Sequence, residues 1–260
     1  MNKPNNMQSL DQLIDKCREL KLTALAERVT DVCEGALYQE LTFEQRFGVL
    51  IDHELTVRKL KRSERCLQRS GLKSLEPFWQ AELSKLIRSP DRNLKPELLE
   101  QLVHCRWITP LHRNVIVTGA CGTGKTWVLA TLGRAACKLG ITTLYIRYSQ
   151  LMDDFQEALD HHTISQHRNR INRHDLLIID DFCSCPADDV RIDALLSLID
   201  ERHGQHSVAV ASQLSIPDWH AALGGAHAAD AIIDRLVPGQ SRIELMGKSL
   251  RLGKAGPDEL

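Results

Sequence analysis

Val115-Ile116-Val117-Thr118-Gly119-Ala120-Cys121-Gly122-Thr123-Gly124-Lys125-Thr126 decides the fold of this chain. A run of β-branched residues is a strand signal, and it leads straight into a glycine loop ending Gly-Lys-Thr. Gly119, four intervening residues and then Gly124-Lys125-Thr126 is the spacing of a P-loop. Its glycines let the backbone curl so that N–H groups meet phosphate oxygens. This assigns Gly119, Ala120, Cys121, Gly122, Thr123, Gly124, Lys125, Thr126 and Trp127 to ATP binding. Lys125 reaches the β- and γ-phosphates, and the Thr126 hydroxyl belongs on Mg2+. A helix over 127–139, stopped by Gly140, turns its positive end toward the anion.

Downstream, Leu176-Leu177-Ile178-Ile179-Asp180-Asp181 places two acids at the end of an apolar strand. After a P-loop this predicts Asp180 as a Mg2+ holder and Asp181 as the residue that polarises the attacking water. Ser207-Val208-Ala209-Val210-Ala211-Ser212-Gln213 is a further strand with a polar end. Gln213, assisted by Ser212, is the candidate sensor of the γ-phosphate; strand-end capping is the alternative. Strands over 141–146 and 242–245 and helices over 150–159, 188–203 and 228–236 complete an alternating pattern, with a short helix near Trp219. The polar segment 161–174 reads as an exposed connector. Alternation of this kind predicts an α/β fold, a parallel sheet covered by helices on both faces. Trp107, before the first strand, suits either the adenine or the core.

Few residues follow the last strand, so no C-terminal lid domain is expected, and another subunit must close the nucleotide site. An arginine supplied across an interface is the usual solution. Arg235 is the candidate, set against a surface ion pair with Asp234 or Asp230.

Residues 1–75 read as a small all-helical N-terminal domain, and 76–260 as the ATPase domain. Apolar residues at helical spacing over 9–35 predict one or two amphipathic helices. Thr42-Phe43-Glu44-Gln45 is a capping box opening a longer helix, whose buried face is Phe47, Leu50, Ile51 and Leu55. Farther along it, Arg58, Arg62, Arg65 and Arg69 share one face, and Lys59 widens the patch. A stripe so poor in acids suits duplex phosphates; a solvated helix face is the other reading.

Net charge is −1, so nucleic-acid contact must come from such a local patch. Eight cysteines without a Cys-x-x-Cys pair read as reduced, mostly buried thiols of a cytoplasmic protein. His161-His162 and His203-x-x-His206 read as a loop and a helix end. No run of about 18 apolar residues occurs, so no membrane span is expected.

Five segments then occur in order: Gly-Ala-Cys-Gly-Thr-Gly-Lys-Thr, Leu-Leu-Ile-Ile-Asp-Asp-Phe, Ala-Ser-Gln-Leu-Ser-Ile-Pro-Asp-Trp-His, Ala-Asp-Ala-Ile-Ile-Asp-Arg-Leu and Gly-Lys-Ser-Leu-Arg. The series resembles the IstB-type transposition helper ATPases of bacterial insertion sequences, AAA+ proteins related to the DnaC helicase loader. The resemblance implies Arg235 as arginine finger, Gln213 as first sensor and Arg251 as second sensor. It also implies a homo-oligomer that assembles with ATP on double-stranded DNA, bends it, and recruits the transposase of the same element. The chain departs from the family pattern at Asp181, where many AAA+ proteins carry Glu, at Gln213, where many carry Asn, and at Lys248, where Glu is usual.

Two rivals share the loop. A DnaC-like helicase loader would prefer single strands, for which stacking aromatics help, and the basic stripe contains none. A small-molecule kinase would need an acceptor pocket and an arginine-bearing lid.

Overall fold

The computed structural model describes residues 9–78, 93–225 and 227–249. The chain forms two compact units, Met1–Arg62 and Ser63–Leu260. The first contains α1 (Leu10–Glu19), α2 (Thr23–Glu34) and the opening of α3 (Phe43–Arg69). Ser9 and Gln12 cap α1 reciprocally, and Thr42 and Gln45 cap α3 in the same way, as the capping box predicts. Leu25, Val29, Val32 and Leu50 form the core of this unit. Each such aliphatic side chain contributes roughly 1.5–3 kcal/mol on burial.

The buried face of α3 differs from the expected one. Leu50 is buried, but Phe47 and Leu55 are 51% and 47% exposed, and Phe47 stacks on exposed Phe43 instead. Glu54 takes the inward place beside Leu50 because its charge is met there. Its Oε2 accepts from the Leu25 amide (2.9 Å) and its Oε1 from Arg58 Nε (2.6 Å).

In the second unit, β1 (Val115–Gly119), β2 (Thr143–Arg147), β3 (Leu176–Phe182), β4 (Ser207–Ser212) and β5 (Ser241–Leu245) pair in parallel in the order β2-β3-β4-β1-β5. The period-2 alternation of each strand sends side chains to opposite faces. Val115, Val117, Ile178 and Ala209 join one core, while Ile116, Ile179, Val208 and Val210 join the other. The first face is covered by α4 (Pro96–Val103) and α5 (Lys125–Lys138), and Cys66, Leu67 and Leu72 pack there too. The second face is covered by α6 (Tyr148–Asp160), α7 (Ile164–Asn172), α8 (Asp189–Arg202), α9 (Ile216–Ala222) and α10 (His227–Leu236).

Helix α7 replaces the expected connector over 161–174. Ile164 and Ile171 lie two turns apart on one face and reach the core, which a window counting only polar residues hides. Arg168 and Asn172 bind Glu201 on α8, at 3.1 and 2.7 Å. Trp107 belongs to the core, 5% exposed, its Nε1 donating to the Leu102 carbonyl (2.8 Å). All eight cysteines are free, but of them only Cys17, Cys105 and Cys137 are buried, fewer than expected. No helix among the described residues is long and apolar enough to cross a membrane.

Candidate nucleotide site

The P-loop joins β1 to α5. Gly119 has φ 149°, and a Cβ there would lie 2.3 Å from the Leu245 carbonyl, so only glycine lets β5 approach. Gly122 and Gly124 are left-handed, at φ 78° and 104°. Because Gly124 turns the chain in that conformation, α5 starts at Lys125, earlier than the expected Trp127. Thr123 Oγ1 donates to the Ala120 carbonyl (2.8 Å), which closes the loop on itself. The buried Lys125 Nζ donates to the carbonyls of Gly119 (2.8 Å) and Ala120 (2.9 Å). Ala120 and Cys121 are exposed at the tip, and Trp127 packs partly against the core. Ser249 sits over Gly122, where an added Cβ would lie 2.0 Å from its Oγ.

The acids of β3 come to the same end of the sheet. Asp180 is buried, and its Oδ2 accepts from Tyr145 Oη at 2.8 Å and its Oδ1 from the Asp181 amide at 3.0 Å. Burial pushes its carboxyl above the usual range; hydrogen bonds from the Thr126 and Tyr145 hydroxyls oppose this. The Thr126 hydroxyl and the Asp180 carboxylate therefore meet, two hard oxygens suited to Mg2+. Asp181 is partly buried with φ 51°, where the pairing with β4 shifts register. A non-glycine residue held in this region stores strain, and such residues cluster at functional sites.

Strand β4 lies between β1 and β3, so Gln213 follows the strand that separates the two motifs. Gln213 is exposed. Ser212 is buried and acts as a strand cap, its Oγ donating to the Phe182 carbonyl (2.8 Å) and accepting from the Leu214 amide (3.2 Å).

Arg235 lies elsewhere. Asn114, just before β1, donates to the carbonyls of Arg235 (3.1 Å) and Leu236 (3.2 Å), so this residue sits where β1 begins. The P-loop sits where β1 ends, a strand's length away at roughly 3.3 Å per residue. Arg235 Nε pairs with Asp200 on α8 (2.5 Å), neither of the two expected carboxylates; Asp230 pairs with His220. Arg251 lies outside the described residues.

Of the basic stripe, Arg58, Lys59 and Arg62 are exposed on the N-terminal unit. Arg58 also has a structural task, since it binds Glu54 and donates to the Lys21 carbonyl (2.8 Å). Arg65 and Arg69 are exposed on the second unit. Sequence reasoning missed Tyr145, Asn114, Asp200 and Arg202, which no motif marks; a polar residue inside an apolar strand was the available signal for Tyr145.

A family model described as IstB-like ATP binding protein matches residues 15–256. The chain is 29% identical over 234 residues to an insertion sequence ATP-binding protein of Sinorhizobium fredii, covering 90% of this chain and 92% of that one. It is 31% identical over 201 residues to the ATP-binding protein of insertion sequence IS1162 from Pseudomonas fluorescens, covering 77% and 85%. Among solved structures, the replication initiator DnaA bound to AMPPCP and single-stranded DNA aligns with TM-score 0.51 and 22% identity, over 66% of this chain and 53% of that one. The chain thus spans about half of that initiator (53%), and the likeness is one of fold.

Proposed function

The chain belongs to the IstB-like ATP-binding protein family, and from that premise we propose that it is a Mg2+-dependent ATPase of an insertion sequence. In this reading it assembles on duplex DNA, bends it and recruits the element's transposase. Lys125 anchors the terminal phosphates, and Thr126 and Asp180 hold Mg2+. The metal supplies neutralisation of charge on the phosphate oxygens. Asp181 orients a water toward the γ-phosphorus, whose bond to the bridging oxygen breaks to give ADP and phosphate. Asp181 is one methylene shorter than glutamate, so turnover by the chain alone is slow and rises with DNA or transposase. Gln213 and Arg251 sense the phosphate.

The observation that carries the assembly is the separation of Arg235 from the chain's own P-loop, at opposite ends of β1. An arginine so placed serves a nucleotide held by a second copy, which ties ATP state to oligomerisation. The exposed Lys59, Arg62, Arg65 and Arg69 support phosphate contact, multiplied in an oligomer. Such contacts offset a bending cost of several kcal/mol.

A second reading, a helicase-loader-type protein for single strands, is favoured by one observation. Phe43 and Phe47 are exposed and stacked, with ring centroids 5.9 Å apart, a platform on which bases could stack. Binding to matched duplex and single-stranded DNA, with ATP or a non-hydrolysable analogue and particle mass followed, separates the two. Large ATP-dependent particles on duplex support the transposition helper. Binding to single strands alone, without large particles, replaces it with the loader.

A further inference from the structure

Where β1 and β4 begin, Asn114 ties three elements together. Its Oδ1 accepts from the Val208 amide (2.9 Å) and its Nδ2 donates to the end of α10. Beside it lies a cavity of about 220 Å³. Arg113, Arg202, Arg235, His112, His203 and His206 line it, and no Asp or Glu does so among the described residues.

Arg202 is wholly buried. Its Nη2 donates to the carbonyls of His174 and Ser207, both at 3.0 Å, and its Nη1 to Ile171 O and Asn172 Oδ1, both at 3.4 Å. The Nε–H has no hydrogen-bond partner, and no carboxylate forms an ion pair with this guanidinium, among the described residues. Burial lowers its pKa to about 10, so the charge remains at neutral pH. A buried charge costs several kcal/mol unless a counter-charge and hydrogen bonds meet it. Carbonyl dipoles supply part of that compensation, and the Asp175 carboxylate, which forms no ion pair with Arg202, adds a weaker attraction that burial outweighs. The charge of Arg235 is already met by Asp200, so the excess belongs to Arg202 and the exposed Arg113. His206 reports the same field. Burial lowers its pKa, Arg202 and His112 lower it further, and Asp175 alone opposes them.

We infer that this cavity binds a phosphate-class oxyanion between Arg113 and Arg202, at the end of the sheet opposite the P-loop. Two sources share that chemistry: free inorganic phosphate, and the terminal phosphate of a nucleotide carried by a neighbouring copy. The second source rests on the proposed trans assembly; the first does not.

The sign of one shift tests the site. A bound anion raises the titration midpoint of His206, whereas simple burial by protein lowers it. The full chain is labelled with diethyl pyrocarbonate across pH, and the peptide bearing His206 is quantified by mass spectrometry. An upward shift with inorganic phosphate over chloride at equal ionic strength, retained in nucleotide-free Lys125→Ala, establishes the free-phosphate source. An upward shift only with a non-hydrolysable ATP analogue, needing at least about tenfold more analogue in Lys125→Ala, establishes the neighbour's nucleotide. In either case Arg113→Ala, at an exposed position, weakens the response roughly tenfold, the loss of one charge-assisted hydrogen bond. A midpoint that stays or falls under both conditions overturns the inference, as does an unchanged response in Arg113→Ala.

Discussion

Tyr145 on β2 donates a 2.8 Å hydrogen bond from its hydroxyl to Oδ2 of Asp180 on the adjacent strand β3. The bond holds one oxygen of the carboxylate that also accepts from the Thr126 hydroxyl. Tyr145→Phe removes it at nearly constant volume. Its loss costs about 1–2 kcal/mol of stability and raises the Mg2+ concentration needed for half-maximal ATP hydrolysis. Denaturant unfolding and a Mg2+ titration measure the two effects. An unaltered Mg2+ requirement would detach Tyr145 from the metal site.

Lys125→Ala deletes the ammonium that bridges the Gly119 and Ala120 carbonyls. Nucleotide affinity falls at least about tenfold, as for loss of a charged hydrogen bond. Titration with a fluorescent ATP analogue reads this directly, and wild-type affinity in the variant would sink the phosphate assignment.

Arg235→Ala leaves ATP binding by the monomer intact and slows hydrolysis on the order of a thousandfold, as removal of an arginine finger does. Mixing it with Asp181→Ala restores activity, because one copy supplies the finger and the other the water-orienting acid. Asp200→Ala frees Arg235 from its ion pair with a stability change below about 1 kcal/mol, so any change in the mixed-site rate reports finger position. A mixture as inactive as its components would remove Arg235 from the role.

The arginines of α3 separate by task. Lys59, Arg62, Arg65 and Arg69 changed together to Ala weaken duplex binding at every sequence and lower the salt slope by about 1 for each DNA phosphate no longer neutralised. Arg58→Ala acts instead on folding, at about 1 kcal/mol, since Arg58 spans Glu54 and Lys21. Fluorescence anisotropy across salt concentrations, paired with urea unfolding, distinguishes them. Equal effects of all five on DNA alone would contradict the division.

Glu54 adds a pH dependence. Burial raises its carboxyl pKa, but the Leu25 amide and Arg58 outweigh this and hold it below the ordinary 4.5. A lowered folded-state pKa contributes stability that is present above the unfolded value and is lost as pH falls through the folded one. The N-terminal unit therefore loses stability below about pH 4.5, and Glu54→Gln removes that part of the acid transition while weakening the unit at pH 7. Unfolding of the full chain, followed by a probe on α2, measures both; an acid profile unchanged in Glu54→Gln would exclude Glu54 as its source.

The sequence by itself determined whatever depends on neighbours along the chain. The glycine spacing of 119–126, the period-2 strands, the Asp180-Asp181 strand end and the Thr42–Gln45 cap are local, because backbone curvature and capping are settled within a few residues. Only the tertiary structure decided which charges meet. Nothing in the spacing tells that Arg235 pairs with Asp200, that Tyr145 reaches Asp180, or that Arg202 is buried beneath the start of β4. Those partners lie on different elements, brought together by the packing of two sheet faces. The same physics exposed Phe47 and turned Glu54 inward: a polar group goes inside where distant atoms satisfy it, and those atoms are known only once the chain has folded.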